Sequence, residues 1–135
     1  GVPRFMRKLN MVYALYFNEK YERNGALFQG RYKSVPVLNE THFIHIPYYI
    51  HLNPLDLKFP GWRRREISNS KDALTELNKY RWSSHLDYAG FKNFPSVTQR
   101  SFLSEYFESP QNYKDNMADW LKNIELESMH GLLLE

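Results

Sequence analysis

Proline placement limits this chain more than any other feature of its sequence. A proline has no N–H and a fixed φ, so it cannot sit in the paired interior of a strand, and it interrupts a helix. Ahead of Pro36, the stretch "ALFQGRYKSVPVL" carries Leu27, Phe28, Tyr32, Val35 and Val37. That aromatic and β-branched weight predicts a strand near residues 27–35, kinked or bulged at Gly30 and leaving the sheet at Pro36. Asn39 is placed to cap a helix over "ETHFIHIPYYIHLN", bent or restarted at Pro47 and stopped at Asn53-Pro54. Upstream, "RFMRKLNMVYALYFNEKYERNG" repeats Phe5, Leu9, Val12 and Tyr16 at helical spacing, with Asn24-Gly25 as its stop.

The second half predicts helices separated by loops. After the linker "KFPGWRRREISNSK", Ser70 can cap a helix bearing Ala73, Leu74 and Leu77. Ser84 and Asp87 have the spacing of a capping box for a short helix ended by Gly90. Phe102, Leu103, Tyr106 and Phe107 share one helical face. A last helix, from about Pro110 to Glu125, is expected to bury Tyr113, Met117, Trp120, Leu121 and Ile124. The expected class is therefore α+β and predominantly helical, with a first segment over 1–57 and a helical extension over 58–135.

Charge is distributed unevenly. Residues 1–34 hold seven Lys/Arg against two Asp/Glu, whereas residues 101–135 hold two against seven. A basic front and an acidic tail suit a polyanion on one side, although charges that merely solvate helix faces would look the same. With no cysteine in the chain, disulfides and thiolate metal sites are excluded, in keeping with a cytoplasmic protein. No apolar run reaches the roughly 20 residues of a membrane-spanning helix.

Three groups of residues are candidates for chemistry. In "YYIHLNP" (48–54), Tyr49 and Asn53 are four apart, so phenol and amide share one helix face. Tyr48 points about 100° away and is the better core residue. His42 and His45 lie on the same side as Tyr49 and could join a metal site, but no Asp, Glu or Cys nearby completes a set. In "GRYKS", strand alternation would put Arg31 and Lys33 on one face and Tyr32 on the other, a pattern suited to phosphate contact and base stacking. Arg4, Arg7 and Lys8 add to this phosphate-facing set.

The segment "YFNEKYERNGALFQGRYKSVPVLNETHFIHIPYYIHLNP" resembles the second half of the catalytic domain of REP-associated tyrosine transposases, in the HUH superfamily of single-strand DNA transposases. "RWSSHLDYAGF" (81–91) resembles that family's Trp-Ser-Ser segment, and the later helices its C-terminal extension. The resemblance implies a helix–strand–helix half of a ferredoxin-like domain over residues 1–57. It also implies an enzyme, a metal-dependent endonuclease of mobile elements in bacteria, working on DNA at the nucleoid. In such proteins a tyrosine attacks a phosphate of single-stranded or hairpin DNA, giving a 5′-phosphotyrosine and a free 3′-hydroxyl. The matching nucleophile is Tyr49. Mg²⁺ or Mn²⁺ is expected in the full-length enzyme, held by two histidines and by a polar residue matching Asn53.

The family's His-hydrophobe-His motif occurs nowhere in the 135 residues. The chain is accordingly expected to be the C-terminal portion of a longer transposase, with no metal bound and no cleavage by itself. Without the upstream sheet, the strand near 27–35 is expected to pair with a second copy, forming a homodimer, or to remain poorly ordered. Two further classes stay open: a nucleic-acid-binding module without chemistry, and a helical interaction domain working through the acidic tail.

Overall fold

The computed structural model describes residues 1–64 and 66–123. They fall into two units, 1–35 and 36–123. Both are built from helices and loops, and no strand occurs among the described residues.

In the first unit, α1 (Val2–Lys20) carries Pro3 in its first turn, where the missing N–H has no intrahelical partner to lose. The helix ends at Lys20, ahead of the expected Asn24-Gly25 stop. Glu22 and Gly25 then take positive φ (48° and 97°), and Asn18 Nδ2 donates to the Gly25 carbonyl at 2.9 Å. The Phe28 ring centroid lies 6.3 Å from that of Tyr13, whose ring is followed along the helix by those of Phe17 and Tyr21. No residue of α1 is buried, and Phe5, Leu9, Val12 and Tyr16 are all exposed.

Residues 27–35 form no strand, which corrects the sequence expectation. A strand is stable only when its N–H and C=O groups meet a neighbour, and among the described residues no second strand is present to supply one. The helix–strand–helix half of a ferredoxin-like domain is therefore not formed, and the α+β class is replaced by an all-helical one.

In the second unit, α2 (Glu40–Leu52) begins at Asn39, whose Oδ1 accepts the His42 N–H at 2.7 Å. Pro47 neither restarts nor ends it; the helix runs through the proline. Asn53-Pro54 leads directly into a 3-10 turn (Asn53–Leu57), because proline is tolerated in a first turn. A second 3-10 turn covers Trp62–Arg64. Then come α3 (Ser70–Lys79), α4 (His85–Tyr88), α5 (Ser101–Phe107) and α6 (Pro110–Asn123). The cap of α3 is Asn69 and not Ser70: its Oδ1 accepts from the Lys71 and Asp72 N–H groups at 3.0 and 3.4 Å. Ile124 and the expected last turn to Glu125 lie outside the described residues.

The Ser84/Asp87 capping box does not form. Ser84 makes no cap bond, and Ser83 Oγ accepts from the His85 N–H instead, at 3.1 Å. Asp87 is buried, and its carboxylate gathers the loop after α4 by accepting from the N–H groups of Asn93 and Phe94 and from Thr98 Oγ1. Helix α3 packs against α6 and the first 3-10 turn, and α5 packs against α6. The core is Tyr48, Leu52, Leu55, Trp62, Ala73, Leu77, Phe107, Tyr113, Met117 and Leu121, with Tyr49 and Ala89. Each large member contributes roughly 1.5–3 kcal/mol by leaving water. No helix among the described residues is long and apolar enough to cross a membrane.

Candidate active site

Helical spacing puts Tyr49 and Asn53 one turn apart at the end of α2, and the following 3-10 turn brings Asp56 beside them. Arg63 reaches this cluster from the second 3-10 turn, where its neighbour Trp62 is buried and anchors the backbone. One terminal nitrogen of Arg63 donates to the Tyr49 hydroxyl. The other donates to Asn53 Oδ1 at 2.9 Å and to Asp56 Oδ2 at 2.8 Å, while Nε lies 3.3 Å from Asp56 Oδ1. The guanidinium carbon lies 4.9 Å from the Tyr49 ring centroid and 4.8 Å from that of Trp62. Trp62 Nε1 also donates to Asp56 Oδ1, at 2.6 Å.

The electrostatics follow from these bonds. The Asp56 carboxylate, and after it the Tyr49 hydroxyl, favour the charged form of Arg63 and raise its pKa, so it remains a fixed cation. Arg63 in turn holds the Asp56 carboxyl below the usual carboxylate range. Tyr49 itself is 8% exposed, its ring 6.1 Å from Trp62. A planar fork of donors can serve a phenol, an amide and a carboxylate at once, which a lysine could not.

Tyr48 occupies a different environment. Its ring lies near-parallel to Tyr113 (5.8 Å) and Trp120 (5.6 Å) and edge-on to Phe107 (5.4 Å). Asn116 Nδ2 donates to its hydroxyl at 3.3 Å, and burial pushes the phenol up. Its role is packing.

The remaining candidates lie elsewhere. Arg4, Arg7 and Lys8 are exposed on the first turns of α1, and Arg31, Tyr32 and Lys33 lie in the irregular segment that follows it, all within unit 1–35. Without a strand, the alternation that was to align Arg31 with Lys33 is missing. His42 is buried with neither ring nitrogen hydrogen-bonded, and His45 packs edge-on against Trp120 at 5.0 Å. Burial, and then the neighbouring His42, lower the His45 pKa.

The side-chain oxygen expected to help hold a divalent metal is engaged within the chain. Asn53 Oδ1, the expected third ligand, already accepts from Arg63, and that guanidinium would repel a cation brought to the same oxygen. Among the described residues no group of three His, Cys, Asp or Glu could hold a metal ion.

A second polar array crosses the core. Ser84 Oγ lies 2.7 Å from His51 Nε2, and the Tyr113 hydroxyl lies 2.8 Å from both His51 Nδ1 and His85 Nδ1. His85 Nε2 lies 2.9 Å from Asn78 Oδ1. Desolvation lowers His51 to about 3, with the nearby His85 adding to the effect, and desolvation lowers His85 to about 4. Burial pushes the Tyr113 phenol up. Sequence reasoning missed both histidines, and it left Arg63 within the linker with no role of its own. The available signal for Arg63 was its place next to a tryptophan in a loop otherwise rich in polar residues.

Comparison with protein-family models, curated proteins and solved structures returns no match.

Proposed function

We propose that this chain carries the nucleophile of a tyrosine DNA transposase, with Tyr49 attacking a backbone phosphate of single-stranded or hairpin DNA. One observation supports the reading above the others: Arg63 holds the Tyr49 hydroxyl and the Asn53 side chain together, one turn apart on the helix that carries the motif resemblance. In the reaction the Tyr49 oxygen forms a bond to phosphorus and its proton passes to solvent. The P–O3′ bond breaks, and the leaving oxygen takes a proton to become a 3′-hydroxyl. The reverse displacement rejoins the strand. A fixed guanidinium at the attacking oxygen supplies positive charge where negative charge gathers on oxygen and phosphate. The exposed cations Arg4, Arg7, Lys8, Arg31 and Lys33 are proposed to contact the DNA backbone. Such a protein would act on DNA in the cytoplasm.

The test uses the full-length protein with 3′-labelled single-stranded and hairpin oligonucleotides on a denaturing gel. The wild type and Tyr48→Phe should carry label into the protein band, and Tyr49→Phe should not. Adduct in Tyr49→Phe overturns the assignment. Strand binding with no adduct in the full-length wild type favours the second reading, a binding module without chemistry.

A further inference from the structure

We propose that Trp82 is a stacking platform for a nucleobase of single-stranded DNA, seated in the groove that opens beside Asn53. The proposal rests on the strand-processing reading and adds to it the part of the substrate that this groove takes.

The groove has a volume of about 500 Å³, and its walls include Asn53, Asp56, Tyr80, Trp82 and Ser84. Trp82 lies near-parallel to Phe94, with centroids 5.9 Å apart and planes 21° apart. The Arg81 guanidinium lies 4.9 Å from the Trp82 centroid and 5.3 Å from that of Phe94. Phe94 and Arg81 together hold the indole, yet the residue stays 71% exposed. An indole held in place and left in water is costly for a protein with no use for it, and it suits a flat aromatic ligand.

Charge selects the class of ligand. Arg81 forms no ion pair among the described residues, so a guanidinium stands at the platform ready for a phosphate. Asp56, the acid on the groove wall, is already paired with Arg63 at 2.8 Å. An aromatic platform beside a guanidinium with no carboxylate partner among the described residues is the combination that binds single strands, because each base has a π face and each linkage a negative charge. The groove also adjoins the proposed nucleophile: Asn53 lines it and is bonded to Arg63, which holds Tyr49. A base on Trp82 would therefore belong to a nucleotide near the attacked phosphate.

The experiment measures fluorescence anisotropy of the full-length protein with two labelled strands of about 12 nucleotides, one oligothymidine and one abasic deoxyribose-phosphate chain. Trp82→Ala should weaken oligothymidine binding about 10-fold and leave the abasic strand unchanged, while Trp82→Phe should recover most of the loss. The residue is exposed, so these substitutions leave the core intact. Unchanged oligothymidine affinity in Trp82→Ala overturns the platform and leaves the indole to a protein contact, without touching the assignment of Tyr49. An equal loss on both strands also overturns it, since stacking needs a base. Base-dependent binding through Trp82 with no tyrosyl adduct keeps the platform and removes the nucleophile. No binding of either strand by the wild type removes both.

Discussion

Tyr48 and Tyr49 are consecutive residues of α2 with opposite commitments: the Tyr48 ring lies against Tyr113 and Trp120, while the Tyr49 hydroxyl is held by Arg63. Substitutions should separate the two. Tyr48→Ala empties the centre of an aromatic cluster and should cost about 3–5 kcal/mol in urea unfolding. Tyr48→Phe removes only the long bond from Asn116 and should cost about 1 kcal/mol or less. A large loss for the phenylalanine variant would show that the hydroxyl, not the ring, carries the stabilisation.

Arg63 should resist conservative replacement. Lysine keeps the charge but is a point donor on a flexible stem, unable to reach Tyr49, Asn53 and Asp56 together. Arg63→Lys should lower the rate of adduct formation by at least about 10-fold, one oxyanion-type contact being worth that or more. Folding should weaken by about 1 kcal/mol, from the lost bonds to Tyr49 and Asn53 and the lost ring contacts. Wild-type rates in Arg63→Lys would reduce Arg63 to a structural clamp.

Acid should unfold the second unit through its histidines. In the folded protein His51 titrates near 3 and His85 near 4, below the ordinary 6.5. The unfolded chain therefore takes up protons first as pH falls. The stabilisation is complete above about pH 6.5 and is lost progressively below it, at up to about 1.4 kcal/mol per pH unit for each histidine. Between pH 6.5 and 4 this amounts to about 3 kcal/mol from each. Denaturation midpoints across that range should show the slope, and His85→Gln should flatten it. A flat profile in the wild type would mean that the folded unit admits charge at these rings.

Sequence reading succeeded where the determinant was local. Asn39 caps α2 through its own side chain, and Tyr48 is packed as helical geometry requires. It failed where the determinant was a distant partner. The stretch 27–35 has strand composition, but a strand is a relation between two segments, and composition cannot supply the second. Ser84 has a cap's spacing, but its hydroxyl is taken by His51, 33 residues away. Arg63 meets Tyr49 across 14 residues of loop and turn, a separation that no periodicity encodes.

DNA affinity should fall steeply with salt, because Lys and Arg release counterions from the phosphates they contact. Neutralising Arg31 and Lys33 together should reduce the log–log slope by roughly one to two. An unchanged slope would move the backbone contact elsewhere, with Arg81 and Arg64 the next residues to test.

The array from Asn78 to Ser84 has a direction. The Asn78 carbonyl oxygen can only accept, so the proton of neutral His85 sits on Nε2 and its Nδ1 takes the Tyr113 hydroxyl proton. Tyr113 oxygen then accepts from His51 Nδ1, which leaves His51 Nε2 to accept from Ser84. Asn78, an amide on α3, thus dictates the orientation of a hydroxyl on the groove wall. Ser84 has spent its single proton inward and offers an incoming molecule only lone pairs. It would welcome the amino or imino hydrogen of a base and give nothing to a carbonyl.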